Sequence, residues 1–179
     1  KQQLSNEFLS DHPRFYCVPE GGGSDAGIRG ASEILSFAQN KYSHILCAVG
    51  TGTTLTGIIN ASQVEQQVIG ISAIKVADPQ HNDVAAFVAS NANKKNHLLL
   101  FDYHFGGFAK FSDELIAHMN GLYRLENLPT DFVYTGKLFY AVDDMIKNDR
   151  FDAGSRLLII HSGGLQGNRS LPPGTLDFS

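Results

Sequence analysis

Apolar positions along the chain come in short blocks separated by polar, glycine-rich joints. "HILCAV" (44–49), "QQVIGISAI" (66–74), "HLLLF" (97–101) and "SRLLIIH" (155–161) are too continuously apolar to alternate between core and solvent. Such runs fit strands covered on both faces. "FYCVP" (15–19) reads as a further short buried strand closed by Pro19. Between the runs the spacing turns helical: "GASEILSFAQN" (30–40) with Ser24 or Asp25 as its cap, then 53–62, about 81–92, 112–120 and an amphipathic stretch over 136–148. Residues 1–10 read as part of a helix that opens without a cap.

This alternation predicts an α/β fold, an open, mostly parallel twisted sheet with helices on both faces. The absence of repeats, linkers or low-complexity tracts argues for one unit over residues 1–179. Ligands of such sheets bind outside the carboxyl ends of the strands. The loops 20–27, 50–54 and 161–167 are therefore the places to look for chemistry.

Composition narrows the classes without naming one. The chain has 179 residues, 42% of them hydrophobic and 18% charged, as expected of a folded domain. Its net charge of −4 leaves no basic surplus, which disfavours nucleic acid and acidic membranes as partners. No segment reads as a membrane span or a signal peptide, so a cytoplasmic location is expected. Cys17 and Cys47 each lie inside an apolar run and read as buried reduced thiols. The seven histidines show no ligand spacing, so no metal site is expected.

The most informative joint is "GTGTT", Gly50, Thr51, Gly52, Thr53 and Thr54, at the end of one strand and the start of a helix. Its backbone N–H groups stand clear of bulky side chains, and the first turn of a helix leaves them without intrahelical partners. The helix dipole favours negative charge there, and three threonine hydroxyls add donors. A tight turn with no ligand is the plain alternative. For a dinucleotide fingerprint the third glycine falls too late, and no Gly-Lys-Ser/Thr follows to make a Walker loop. A compact phosphate group remains the leading ligand.

Two further joints carry polar chemistry. "FVYTGKLFYAVDDMI" places Tyr134, Thr135 and a glycine in one helix-opening turn, where a phenol with a lowered pKa would suit proton traffic at a carbon acid. A core tyrosine beside a helix cap is the structural alternative. "LLIIHSGGLQGN" is a buried strand running into a polar glycine loop.

The order of "PEGGGSDAGIRG", "GTGTTLTG", "YTGKLFYAVDDMI" and "GSRLLIIHSGGLQG" resembles the C-terminal portion of a pyridoxal-phosphate family. That family comprises 1-aminocyclopropane-1-carboxylate deaminase and D-cysteine desulfhydrase, relatives of the tryptophan synthase β-subunit (fold type II). The resemblance runs from about Tyr16 to Gly167. It implies pyridoxal 5'-phosphate as cofactor, with Gly50, Thr51, Gly52, Thr53 and Thr54 holding its phosphate and Thr135 meeting its pyridine nitrogen. It implies that Tyr134 faces a small amino-acid substrate and takes part in proton transfer or attack. The large-domain portion of that fold and a homodimer are expected with it.

Three departures shape the expected activity. A threonine at 135 stands where the cyclopropane deaminases have a glutamate, so the resemblance leans toward the desulfhydrase branch. The second tyrosine of the family's glycine loop is missing from "FDYHFGGFAKF", where Phe108 and Phe111 are the candidates and Tyr103 lies upstream. In the family the lysine that anchors the cofactor belongs to an N-terminal portion with no counterpart here; Lys137 lies in the motif but is not that residue, and nearly all the lysines present read as solvated surface charge. The expected function is a deaminase or lyase releasing ammonia and a 2-oxo acid, with a missing N-terminal portion of the same enzyme as partner and this span inactive alone. The alternative is a non-catalytic phosphate- or pyridoxal-phosphate-binding domain without the anchoring lysine.

Overall fold

Among the described residues four strands, β1 (His44–Val49), β2 (Gln67–Ser72), β3 (His97–Leu100) and β4 (Leu157–Ile160), form one sheet in the order β3-β2-β1-β4. Every pairing is parallel, with His44 opposite both Gln67 and Leu157, and Val68 opposite His97. The computed structural model describes residues 10–11, 14–15, 17–38, 41–94 and 96–178. The helix expected over 1–10 lies almost wholly outside the described residues, as do Lys1, Tyr16 and Lys95.

The helices are α1 (Asp25–Ser32), α2 (Thr53–Ala61), α3 (Asp83–Asn91), α4 (Asp113–Glu126) and α5 (Thr135–Lys147). Their starts are set by local caps. Ser24 Oγ accepts from Gly27 N at 3.2 Å, Asn82 Oδ1 from Val84 N and Ala85 N, and Ser112 Oγ from Leu115 N. Each side chain satisfies an N–H that the first helical turn leaves without a partner.

The period of two along β1 explains the layers. Ile45, Cys47 and Val49 point to one face and pack with Leu55, Ile58 and Ile59 of α2 and with Val84 and Val88 of α3. Leu46 points to the other, where Ile69 and Ile71 of β2 meet Leu138, Ala141, Val142 and Met145 of α5. A third cluster joins Leu115 and Met119 of α4 to Phe132, Val133, Leu171 and Leu176. The sheet is thus covered on both faces, as the continuous apolar runs require.

The sheet's connectivity locates the crevice. From β1 the chain moves outward through β2 to β3, then returns to place β4 on β1's other side. The direction reverses between β1 and β4, and loops leaving adjacent strands in opposite directions open a gap at their carboxyl ends. The joints after these strands are 50–54 and 161–167.

Several expectations need correction. No strand forms over 15–19 among the described residues: Phe15 and Val18 are 62% and 69% exposed. Cys17 is an exposed thiol, whereas Cys47 is buried and burial pushes its thiol up to about 12. The helix expected over 30–40 starts earlier, at Asp25, and tightens into a 3₁₀ turn over Glu33–Phe37. The one expected over 112–120 runs on to Glu126 and stops where Asn127 takes a left-handed conformation, φ 51°.

Candidate functional site

β1 ends at Val49, and Gly50–Thr54 turns directly into α2. Gly52 caps that helix at φ 96°, a conformation that suits glycine, and contributes no side-chain cap. The first backbone bond of the helix runs from Thr56 N to Gly52 O, at 2.9 Å. The amides of Thr53, Thr54 and Leu55 precede it and have no intrahelical acceptor. Thr51 and Thr53 bring their hydroxyl oxygens to 3.3 Å of each other beside these amides.

A cavity of about 210 Å³ opens on this turn, walled by Gly50–Thr54, Gly21, Tyr134 and Ser162 among others. The turn at Gly21 lies so close that a Cβ there would fall 2.1 Å from Thr51 Oγ1. On the opposite wall a Cβ at Gly50 would lie 3.1 Å from the Tyr134 hydroxyl. Gly21, at φ 61°, is needed by its approach to Thr51, whereas a side chain at Gly50 would ask the phenol to give by a few tenths of an ångström. The cavity is lined by the backbone and hydroxyl donors of Gly50–Thr54, which suits a phosphate group with an aromatic phenol beside it.

Tyr134 stands at the N-terminus of α5, half-buried, with Phe108 edge-on at 6.0 Å between ring centroids. Its pKa is raised, by burial first and then by the carboxylates of Asp131 and Glu20. The lowered value that proton traffic would favour is not what these surroundings give; the phenol is held neutral.

Thr135 is fully buried behind Tyr134. Its hydroxyl donates to Asp131 Oδ2 at 2.7 Å and accepts from Asp131 N at 2.8 Å, and it does not line the cavity. Asp131, itself 1% exposed, also accepts from Val133 N, Tyr134 N and Thr135 N. Four donors on one buried carboxylate compensate its desolvation and fix the turn that presents the phenol.

The loop after β4 closes the remaining wall. His161 Nε2 donates to Pro129 O at 2.8 Å, while Gly163 N donates to His161 Nδ1, a pairing that fixes the tautomer. Gly163 and Gly164 follow at φ 83° and 90°, which leaves Ser162 facing the cavity.

Sequence reading placed Gly50–Thr54 and Tyr134 on the cavity but missed Ser162, Gly21 and Asp131. Asp131 had a legible signal, an aspartate just ahead of a helix start. Gly21 and Ser162 lay in the loops 20–27 and 161–167 singled out above, but the approach of Gly21 to Thr51 joins segments 30 residues apart in the chain and has no local signature. Of the glycine-loop aromatics, Phe108 meets Tyr134, Phe111 packs edge-on to Phe132, and the Tyr103 hydroxyl is tied to Asp144.

No protein-family model matches the chain. Among curated proteins, it is 29% identical over 182 residues to a provisionally named 1-aminocyclopropane-1-carboxylate deaminase of Pyrococcus abyssi. That alignment covers 93% of the chain and 54% of the relative. It is also 29% identical to the D-cysteine desulfhydrase of Klebsiella pneumoniae, covering 90% of the chain and 54% of that protein. Among solved structures, a homologue of 1-aminocyclopropane-1-carboxylate deaminase aligns with a TM-score of 0.70 at 27% identity, over 90% of this chain and 53% of that one. An O-ureido-L-serine synthase, 14% identical with a TM-score of 0.55, shares the fold over 94% of this chain and 57% of its own. The chain thus spans about half the length of the curated relatives it matches.

Proposed function

We propose that this chain, a relative of the 1-aminocyclopropane-1-carboxylate deaminase and D-cysteine desulfhydrase family, is the phosphate-holding portion of a pyridoxal-phosphate-dependent deaminase or lyase of small amino acids. The observation that carries the reading is the cradle at the sheet's reversal point: unpartnered helix-start amides and paired threonine hydroxyls face a phenol across one small cavity. A cofactor phosphate suits that donor set. Thr53, Thr54 and Leu55 would give it backbone N–H groups, and Thr51 and Thr53 would give hydroxyls.

When bound, the pyridine ring would supply the electron sink that makes loss of a Cα proton and of a leaving group feasible. Everything else falls to the chain's own side chains. Tyr134, neutral and held by the Asp131 turn, would hold or deliver a proton on the substrate side. Thr135 is buried off the cavity with its only hydroxyl proton given to Asp131, so it would meet a ring nitrogen only as an acceptor and only if the Asp131 turn shifted. Ser162 faces the cavity directly and can donate. Replacing Ser162 by Ala and Thr135 by Val separately, and comparing the absorbance of the bound cofactor, distinguishes the two partners.

The reading as a whole is tested on the complete polypeptide. Loaded with pyridoxal 5'-phosphate, it should release a 2-oxo acid and ammonia from D-cysteine or 1-aminocyclopropane-1-carboxylate. Cofactor binding without turnover of any small amino acid would favour a non-catalytic binding domain instead.

A further inference from the structure

Sequence spacing puts Lys137 on a helix face with other solvated charges, yet it is 1% exposed, the one buried lysine among the described residues. Its Nζ donates to three backbone carbonyls: His104 O and Gly107 O at 2.8 Å each, and Ala73 O at 3.3 Å. Three hydrogens meet three acceptors. A neutral amine, with two hydrogens, would leave one carbonyl without its partner. Burial draws the pKa of Lys137 down to about 8 against the opposing pull of the Asp131 carboxylate, so the ammonium prevails at neutral pH.

Ala73 follows β2, whereas His104 and Gly107 belong to the glycine loop after β3. That loop is held in a costly shape. Phe105, Gly106, Gly107 and Ala109 have φ values of 51°, 95°, 123° and 53°. Left-handed backbone at a phenylalanine and an alanine persists only where the surroundings over-determine it. Two turn bonds, Gly107 N to His104 O and Lys110 N to Gly107 O, use the same carbonyls that the ammonium grips. Between them sits Phe108, whose ring stands edge-on to Tyr134.

We propose that Lys137 is a positioning residue whose ammonium pins the 104–107 turn to α5 and the end of β2, and so fixes where Phe108 meets Tyr134. Tyr134 caps α5 and Lys137 lies in its first turn, three residues on. One helix start therefore sets both the phenol and the loop that screens it. The structural claim stands by itself, and only its kinetic consequence rests on the proposed deaminase or lyase reading.

The test uses the complete polypeptide. With ¹⁵N-lysine label, a solvent-protected ammonium signal is expected at neutral pH, lost in Lys137→Met. No such signal in the wild type would overturn the proposal without recourse to any variant. By hydrogen exchange, Lys137→Met and Lys137→Ala should speed the Gly107 and Lys110 amides about tenfold or more while β1 and α2 keep their protection. Ammonium chloride should restore that protection in Lys137→Ala, where the space is open, and not in Lys137→Met, where it is filled. Folded variants with wild-type exchange in the loop would overturn the clamp; should neither variant fold, the wild-type ammonium signal decides. In turnover assays KM should rise more than kcat falls, with cofactor affinity little changed, and equal losses would refute control of the substrate side. A wild type without 2-oxo acid release would sink the functional reading while leaving the exchange result to judge the clamp.

Discussion

Tyr134 has its backbone N–H held by Asp131 at 2.8 Å, which fixes the turn that presents its ring beside Gly50 before any ligand arrives. Tyr134→Phe removes the hydroxyl and keeps the packing against Phe108. If the phenol handles a proton, turnover should fall on the order of a hundredfold with cofactor affinity within a few-fold. Unchanged turnover in a steady-state assay would remove Tyr134 from the mechanism. The identity and spacing of Tyr134, Thr135 and Lys137 were legible in "YTGK"; the directions of their side chains were not. Sequence shows that a lysine follows a tyrosine by three positions. Three carbonyls waiting for it come from the β2 and β3 ends, distant in the chain, and only the fold brings them together.

Among elements, α1 and α2 pack at nearly backbone distance. A Cβ at Gly57 would lie 2.6 Å from both Ala31 Cβ and Ile28 O. Gly57→Ala gains about 1 kcal/mol of helix propensity but forces the helices apart, at about 1–3 kcal/mol by overpacking. Destabilisation should prevail, read as a lower urea midpoint. Because α1 continues from the turn over Thr51, phosphate binding should weaken as well; a raised midpoint would contradict this packing. A second prediction concerns α5, which Tyr103 ties to the loop after β3 through Asp144, at 2.7 Å. Burial first, then that bond, raises the Tyr103 pKa to about 12. The folded state keeps this proton longer than the unfolded chain does. The stabilisation is therefore complete below about pH 10 and lost as pH rises toward 12. Denaturation curves over that window should fall less steeply for Tyr103→Phe than for the wild type; identical slopes would remove this bond from the alkaline transition. Strands β1, β2, β3 and β4 were legible because burial on both faces leaves unbroken apolar runs. "FYCVP" has the same composition without a neighbour in the sheet, and period alone cannot supply one.

At the scale of the molecule, the two outer strands are the exposed feature. β3 and β4 have four residues each, Leu98 is 44% exposed, and all four residues of β4 are only half-buried. Folded proteins normally cover such edges, since unpaired apolar strands recruit other chains. Lys137 is occupied by three carbonyls, and Lys94 donates to Asn60 and Ser62 carbonyls on the side away from the cavity. The phosphate donors are local to one turn, and no lysine among the described residues lines the cavity they open on. The 179-residue chain alone, purified and supplied with pyridoxal 5'-phosphate, should therefore bind inorganic phosphate weakly and release no 2-oxo acid from D-cysteine or 1-aminocyclopropane-1-carboxylate. Robust turnover would show that a lysine within these residues anchors the cofactor. Lys75 and Lys110, exposed beside the glycine loop at the same end of the sheet as the cavity, would be the first to replace.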